Sequence, residues 1–256
     1  MSEEIGNPYA KKPWLKFYDD HVPPKLEYPE TTFVQLFREA VEQCANRVAL
    51  YYMGASITFS EIDVLSNKFA HYLKRSGLEP GDVVGVNLPN IPAFYIAVLG
   101  IQKAGCVLSG VSPLLTPEEL EYQLNDSGAK ALLTLDALFG KVQEVAERTG
   151  VRAIAVAETG DFLPTAKRLL GRLLKKLPTG KVEPIPGIEV ERFRDLLGKM
   201  PESRVEEKVP FDAPIMMQYT GGTTGPPKGA VLSHENFVRH FHQIRVWLDS
   251  GIGEDT

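Results

Sequence analysis

From Tyr219 to Gly229 the chain reads YTGGTTGPPKG, a glycine-rich stretch between two apolar runs. It contains four glycines, three threonines and one lysine. The flanking residues 215–217 and 230–232 are apolar, so we expect a strand that leads into a loop and a second strand that leads out. Glycine lets a ligand approach the backbone closely, amides and hydroxyls donate hydrogen bonds, and lysine adds positive charge. The stretch therefore predicts a loop that binds phosphate.

Two widespread nucleotide-binding motifs do not fit this stretch. A P-loop needs Gly-Lys-Ser/Thr at the start of a helix, whereas Lys228 follows Pro227 and precedes Gly229. The Gly-x-Gly-x-x-Gly fingerprint of dinucleotide-binding enzymes is absent from this loop. The pattern thus disfavours a P-loop phosphotransferase and a Rossmann dehydrogenase. A glycine-rich hairpin loop without a ligand is the alternative that the residues leave open.

The stretch resembles the phosphate-binding signature of the adenylate-forming superfamily, which includes acyl-CoA synthetases, luciferases and peptide-synthetase adenylation domains. That signature usually reads Tyr-Thr-Ser-Gly-Thr-Thr-Gly-x-Pro-Lys-Gly and ends, after an apolar triplet, in Thr-His-x-Asn. Here Gly221 replaces the serine and residues 233–236 read Ser-His-Glu-Asn. Residues 48–62 and 102–114 are similar to two further elements of the superfamily, in the expected order. The glycine at 221 resembles long-chain fatty-acid CoA ligases in particular.

The resemblance implies a two-step reaction and a set of site residues. A fatty acid would react with ATP to give an acyl-adenylate, and coenzyme A would then displace AMP, with Mg²⁺ as the cofactor. Lys228 is assigned a catalytic role and Thr220 a role in binding the metal. The residues assigned to the nucleotide by motif position are Tyr219, Thr220, Gly221, Gly222, Thr223, Thr224, Gly225, Lys228 and Gly229. His234 is interpreted as a polar residue in the first turn of a helix and receives no catalytic role.

The rest of the chain predicts an α/β fold, a mostly parallel sheet with helices on both faces, as in the amino-terminal domain of acyl-CoA synthetases. Apolar strand-like runs alternate with helix-like runs, and 43% of the 256 residues are hydrophobic. Helices are predicted to begin at Thr31/Thr32 and at Ser60/Glu61. Strands are predicted at Asp82–Leu88, Cys106–Val111, Ala129–Leu135 and Val151–Ala157.

The domain organisation follows from the same comparison. Residues 1–30 are predicted to form a surface arm, and residues 31–256 to form part of the large amino-terminal adenylation domain. A basic insertion is predicted at 160–200. The carboxy-terminal domain of the superfamily is absent from the sequence, so we expect a fragment or a truncated gene product that is inactive by itself.

Residues 167–177 of this insertion read KRLLGRLLKKL, with five basic residues and no acidic one. On a helical wheel the leucines at 169, 170, 173, 174 and 177 share one arc, and Arg168, Arg172, Lys175 and Lys176 fill the opposite side. Two interpretations stay open. The leucines pack on the body of the protein, or the helix contacts the anionic surface of a membrane.

Net charge and hydropathy argue against several other classes of protein. A net charge of −5 argues against a nucleic-acid-binding protein. The amino terminus lacks the apolar core of a signal peptide, and the longest apolar run, near 91–101, is too short to span a bilayer. We expect a cytoplasmic protein, peripheral at the membrane if residues 167–177 contact it, with a homodimer as a further expectation. The alternatives are a ligase for a short-chain, medium-chain or aromatic acid, and a non-catalytic binding module on a decayed ligase fold.

Overall fold

The computed structural model of the protein describes residues 8–174, 177–221 and 225–248. Two short 3₁₀ helices in the arm, Pro8–Lys11 and Pro13–Phe17, precede the main elements. In chain order, the described strands and α-helices are α1 (Phe33–Cys44), β1 (Val48–Tyr52), β2 (Ala55–Thr58), α2 (Phe59–Arg75), β3 (Val83–Asn87), α3 (Pro92–Lys103), β4 (Val107–Gly110), α4 (Pro117–Asp126), β5 (Ala129–Leu135), α5 (Phe139–Val145), β6 (Ala153–Ala157), α6 (Thr165–Leu173), β7 (Glu189–Arg192), α7 (Phe193–Lys199), β8 (Pro214–Thr220), β9 (Lys228–Ser233) and α8 (His234–Leu248).

In the described part of the chain, seven strands form one sheet in the order β7-β6-β5-β3-β4-β8-β9. Every neighbouring pair in this sheet is parallel except β8 and β9. Strands β1 and β2 form a separate antiparallel hairpin, whose turn residues Met53 and Gly54 have φ values of 48° and 80°. Positive φ at both positions matches a type I′ turn, which suits the twist of a two-residue hairpin.

Helices cover both faces of the large sheet. On one face, α2, α3 and α7 bury residues such as Phe69, Ile96 and Phe193 against β3, β5 and β6. On the other face, α4 and α5 bury residues such as Leu124 and Phe139. Strands enclosed on both sides bury nearly every side chain, which explains their near-continuous Val, Ala and Leu runs. The predicted fold class is confirmed.

Helix boundaries follow the capping chemistry. The hydroxyl of Thr32 accepts a hydrogen bond from the backbone of Gln35 at 3.3 Å, so α1 begins where predicted. Helix α2 begins one residue earlier than predicted, at Phe59 rather than at Ser60. Oγ1 of Thr58 accepts from the backbone of Glu61 at 3.2 Å, while Oε2 of Glu61 accepts from the backbone of Thr58 at 2.8 Å. This reciprocal pair is a capping box, and it places the start of α2 at Phe59.

The second half of the predicted insertion at 160–200 contributes a strand and a helix to the core of the fold. Residues 189–192 form β7, which pairs in parallel with β6 and extends the large sheet. Helix α7 follows directly and buries Phe193, Leu196 and Leu197 in the core. These side chains lie at positions i, i+3 and i+4, the spacing of one helix face, and the surrounding charged residues obscure this short pattern.

The first half of that segment contains α6, and its leucines and Leu174 are exposed, whereas Leu177 beyond the helix is buried. Leu169, Leu170, Leu173 and Leu174 keep 70%, 55%, 77% and 52% of their surface exposed. Leu177, predicted on the same face, is instead buried beside Gly160 and Gly171. The guanidinium of Arg168 donates to Oε2 of Glu158 at 3.1 Å, which ties α6 to the end of β6. Lys175 and Lys176 lie outside the described residues.

Residues 8–30 run along the surface and contact α8. The rings of Tyr18 and Trp247 meet edge to face with centroids 5.0 Å apart. Nε2 of Gln243 donates to the hydroxyl of Tyr28 at 2.9 Å, and Arg239 lies over the ring of Tyr28. Over the described ranges, none of the helices combines the length and apolar character that crossing a membrane requires.

Candidate nucleotide site

The glycine-rich loop leaves the sheet at the carboxyl end of β8. Because β3 to β8 are parallel, their carboxyl ends all meet at this edge, and open α/β sheets bind ligands outside this edge. Strand β9 returns antiparallel to β8. The prediction that the loop joins two strands is confirmed.

Cross-strand pairs define both ends of the loop. Thr220 pairs with Lys228, and its Oγ1 donates to the carbonyl oxygen of Lys228 at 3.5 Å. Tyr219 pairs with Gly229, and a Cβ atom on Gly229 would lie only 3.0 Å from Cζ of Tyr219. The tyrosine ring therefore covers the glycine, which explains why a residue without a side chain follows Lys228.

Two glycines of the loop, Gly221 and Gly225, face open space. A Cβ atom on Gly221 or Gly225 would meet no described protein atom within 4 Å, so the protein itself does not demand glycine there. The absent side chains leave room for a ligand to approach the backbone. Lys228 is exposed, and among the described residues no carboxylate lies within 4 Å of its ammonium group. Gly222, Thr223 and Thr224, predicted to bind the nucleotide, lie outside the described residues.

Two residues of α4 that the sequence analysis did not identify contact the loop. The hydroxyl of Tyr219 donates to Oδ2 of Asp126 at 2.6 Å. Burial raises the pKa of the Tyr219 hydroxyl, and the hydrogen bond and the charge of Asp126 raise it further, so the phenol stays protonated and donates. The hydroxyl of Tyr122 donates to the carbonyl oxygen of Pro227 at 3.1 Å. Their i, i+4 spacing on α4 was the available signal, but it does not indicate a partner more than 90 residues away.

A buried polar network lies under the same edge of the sheet. Oγ1 of Thr134 donates to Oδ1 of Asn87 at 3.0 Å, and Nδ2 of Asn87 donates to the carbonyl of Ser112 at 3.0 Å. Nε2 of Gln123 donates to the carbonyl of Gly110 at 2.8 Å. Buried polar groups must be paired, so these contacts fix the carboxyl ends of β3, β4 and β5 relative to α4.

Helix α8 begins directly after β9. Oγ of Ser233 accepts from the backbone of Asn236 at 3.2 Å, and Oδ1 of Asn236 accepts from the backbone of Ser233 at 3.1 Å. His234 is buried, and its Nδ1 accepts from the backbone of Phe33 at 3.5 Å. Burial lowers the pKa of His234, so the ring is neutral and joins α8 to the start of α1. This placement agrees with a structural role for His234.

The comparisons with known proteins extend this geometry. The family model described as AMP-binding enzyme matches residues 37–255, which include the whole glycine-rich loop and both strands beside it. The chain belongs to the AMP-binding enzyme family. The resemblance found in the loop, the opening hairpin and residues 102–114 is confirmed.

Similar AMP-binding enzymes include two curated ligases. The long-chain-fatty-acid–CoA ligase of Escherichia coli O157:H7 is 36% identical over 241 residues, which are 92% of this chain and 43% of that protein. The ligase of the same name from Bacillus subtilis (strain 168) is 31% identical over 246 residues, which are 93% of this chain and 43% of that protein. The chain therefore spans less than half the length of these relatives.

A crystal structure of a long-chain-fatty-acid-CoA ligase from Archaeoglobus fulgidus shares the fold. It superimposes with a TM-score of 0.67 at 23% identity, over 87% of this chain and 40% of that chain. At this identity the likeness supports the α/β architecture of the AMP-binding family and nothing finer.

Proposed function

We propose that this chain is the amino-terminal portion of a long-chain fatty-acid CoA ligase and contributes the loop that binds the triphosphate of ATP. One observation carries the proposal: a loop with open glycines, an exposed Thr220 and an exposed Lys228 leaves the carboxyl edge of a parallel sheet. Relatives named for this activity, matched over nine-tenths of the chain, supply the substrate class.

The proposed reaction has two balanced steps. A fatty-acid carboxylate oxygen bonds to the α-phosphorus of ATP as the bond to the bridging oxygen breaks, which gives acyl-adenylate and pyrophosphate. The sulfur of coenzyme A then bonds to the acyl carbon, AMP leaves, and the thiol loses its proton. The first step moves negative charge onto the pyrophosphate, where positioned donors stabilise it.

The loop residues hold the part of ATP that leaves. Thr220 and Lys228 are proposed to donate to phosphate oxygens, together with Thr223 and Thr224. Gly221, Gly222, Gly225 and Gly229 are proposed to let the backbone approach. Tyr219 is proposed to position this loop rather than to touch the phosphates, because its hydroxyl already donates to Asp126. Lys228 is proposed to keep the catalytic role, because it is the one basic residue in the sequence 219–229 and its charge would stabilise the developing negative charge.

Magnesium fits the donor set of this loop. The described residues contain no group of three or more His, Cys, Asp or Glu side chains that could hold a metal ion. Mg²⁺ commonly binds through one or two protein oxygens, several waters and the phosphates of the substrate. The exposed hydroxyl of Thr220 is the protein oxygen proposed here. When bound, the ion would neutralise phosphate charge.

The test uses the full-length protein with purified substrates. Incubation with ATP, Mg²⁺ and a long-chain fatty acid should exchange labelled pyrophosphate into ATP, and coenzyme A should convert the intermediate to acyl-CoA. Exchange with short-chain or aromatic acids alone would favour a ligase for another acid. Absence of exchange with every acid, despite a folded protein, would contradict the proposal and favour a non-catalytic module.

We also propose that α6 and the residues after it contact an anionic membrane surface, which would place the enzyme near its substrate. The four exposed leucines favour this interpretation over packing on the body, because no described element covers them. Residues 162–182 contain basic residues and no acidic one, which matches a negatively charged surface. Arg168 is excluded from this surface because it pairs with Glu158.

Location and assembly complete the proposal. The enzyme is proposed to be cytoplasmic and peripheral at the membrane, with residues 1–30 as an amino-terminal arm and residues 31–256 as part of the large amino-terminal adenylation domain. The homodimer stays a prediction that analytical ultracentrifugation of the full-length protein tests.

A further inference from the structure

Helix α4 contacts the glycine-rich loop where the chain enters it and where the chain leaves it. At the entry, Tyr219 donates to Asp126 at 2.6 Å. At the exit, Tyr122 donates to the carbonyl oxygen of Pro227 at 3.1 Å. Tyr122 and Asp126 are four residues apart, so they lie on the same face of α4, one turn from each other. One helix face thus holds both ends of the loop.

We propose that Tyr122 and Asp126 are positioning residues, which place Lys228 and the hydroxyl of Thr220 for the phosphates of ATP. The inference rests on the proposed function, because it requires the loop to bind a nucleotide. Neither residue needs to touch the ligand. Their effect passes through Pro227 to Lys228 and through Tyr219 to Thr220.

The exit contact acts directly on the backbone of Lys228. The carbonyl of Pro227 and the N–H of Lys228 belong to one planar peptide group, so a hydrogen bond to that oxygen restricts the orientation of the whole group. The ring of Pro227 fixes its φ angle and also restricts Pro226 to extended conformations. The Tyr122 hydroxyl thus adds the missing restraint to a segment that is already stiff, immediately before the catalytic lysine.

The entry contact aligns the two strands. The ring of Tyr219 lies against Gly229, and its hydroxyl reaches Asp126 beyond it. A shift of β8 along β9 would move the ring off the glycine and break the hydrogen bond. The contact therefore maintains the register in which Thr220 pairs with Lys228.

Helix α4 is itself a rigid support. It buries Leu120 and Leu124 in the core, and Gln123 donates to the carbonyl of Gly110 at the end of β4. The two loop contacts, in contrast, join groups that water also reaches, since Tyr122 and Asp126 are both exposed. Such hydrogen bonds add little to stability, because the unfolded chain makes equivalent bonds to water. Their placement at the loop ends is what favours a role in ligand binding.

The experiment measures ATP binding to the full-length protein by calorimetry and, separately, the KM values for ATP, fatty acid and coenzyme A. Tyr122→Phe should raise Kd and KM for ATP about three- to tenfold, the effect of one lost hydrogen bond. The KM values for fatty acid and coenzyme A, and the Tm, should stay unchanged. Asp126→Ala should act similarly, whereas Asp126→Asn, which keeps an acceptor oxygen, should restore most of the affinity. Tyr51→Phe, at an exposed tyrosine of the β1–β2 hairpin, is the matched control.

A double-mutant cycle separates positioning from other causes. If Tyr122 acts through Lys228, then Tyr122→Phe should change ATP affinity by less than about twofold in a Lys228→Ala background. An equal loss in both backgrounds overturns the proposal, as does wild-type ATP affinity in Tyr122→Phe. A parallel rise in all three KM values with a lower Tm also overturns it, because that result indicates a general structural role. Calorimetry measures ATP binding even where no acyl-CoA forms. Failure of the positioning proposal can therefore be distinguished from failure of the proposed ligase activity.

Discussion

Nζ of Lys103, a buried ammonium at the end of α3, lies 2.7 Å from Oδ1 of Asp63 on α2. It also donates to the backbone oxygen of Asp63 at 2.9 Å and to Oδ1 of Asn67 at 2.8 Å, so its three protons are all used. The adjacent Gln102 donates to the carbonyl of Ile215 at the start of β8. These contacts connect two helices to the strand that leads into the loop, and they assign residues 102–103 a structural role.

We expect Lys103→Ala to destabilise the protein by about 3 kcal/mol, near the lower end for breaking a buried ion pair, because Asp63 remains partly exposed to water. The measurement is the free energy of unfolding in urea. Lys74→Ala, which removes the more exposed partner of Glu207, is the control and should cost less than about 1 kcal/mol. Equal losses of unfolding free energy in the two variants would show that the burial of Lys103 does not increase its contribution to stability.

Lys228→Ala should lower kcat/KM for ATP of the full-length protein about ten- to a hundredfold. This is the loss expected when one charge-assisted hydrogen bond to the transition state is removed. Pyrophosphate exchange measures this effect. Lys208→Ala, at an exposed lysine before β8, controls for the loss of one positive charge. Unchanged kinetics in Lys228→Ala would remove the catalytic assignment of this residue.

Local patterns predicted much of this fold, and distant contacts account for what they missed. Strand β5 has the predicted bounds, Ala129–Leu135, because an apolar run between a glycine turn and an aspartate needs no tertiary information. Helix α2 is predicted to begin at Ser60, whereas the capping box between Thr58 and the glutamate three residues later starts it at Phe59. The contacts of Tyr122 and Asp126 with the loop join residues about a hundred positions apart, and no local pattern encodes such a pairing.

Asp161, between β6 and α6, should make the stability of the protein depend on pH. Burial raises the pKa of its carboxyl to about 6, and the negative charge of Glu158 adds to this effect. The hydrogen bond from the backbone of Glu158 and the charges of Arg168 and Arg194 oppose it. Between the unfolded value of 3.8 and about 6, the native state binds more protons than the unfolded state, so stability falls as pH rises through this window.

Asp161→Asn should therefore raise the Tm at pH 7.5 and flatten the decline between pH 4 and 6. Asparagine keeps an oxygen that can accept a hydrogen bond from the backbone of Glu158. Because it carries no charge to bury, the free energy of unfolding above pH 6 should rise by on the order of 2 kcal/mol. Thermal unfolding across this pH range measures it. Asp212→Asn, at an exposed aspartate, controls for the loss of one negative charge. An unchanged pH profile in Asp161→Asn would assign the pH dependence to other groups.

The exposed leucines of α6 and of the residue after it, Leu169, Leu170, Leu173 and Leu174, should bind the full-length protein to anionic phospholipid vesicles. Each buried leucine contributes about 1.5–3 kcal/mol and each nearby basic residue about 1 kcal/mol, so leucines and charges should both be needed. Leu169→Gln with Leu173→Gln should lower the partition coefficient about tenfold or more, whereas Leu114→Gln, at a still more exposed leucine after β4, should leave it unchanged. Co-sedimentation measures each variant.

Charge is tested separately on the same vesicles. Changing Lys167, Arg172, Lys175 and Lys176 to Gln should abolish binding with little effect on the Tm, and Arg168 is retained because its pair with Glu158 attaches α6 to the body. The bound fraction should fall as salt rises, since exposed charges are screened over a Debye length of about 8 Å at physiological ionic strength. Equal sedimentation with neutral and anionic vesicles, or wild-type binding by the leucine variant, would contradict a membrane contact at α6. The exposed leucines would then need a partner other than an anionic membrane surface.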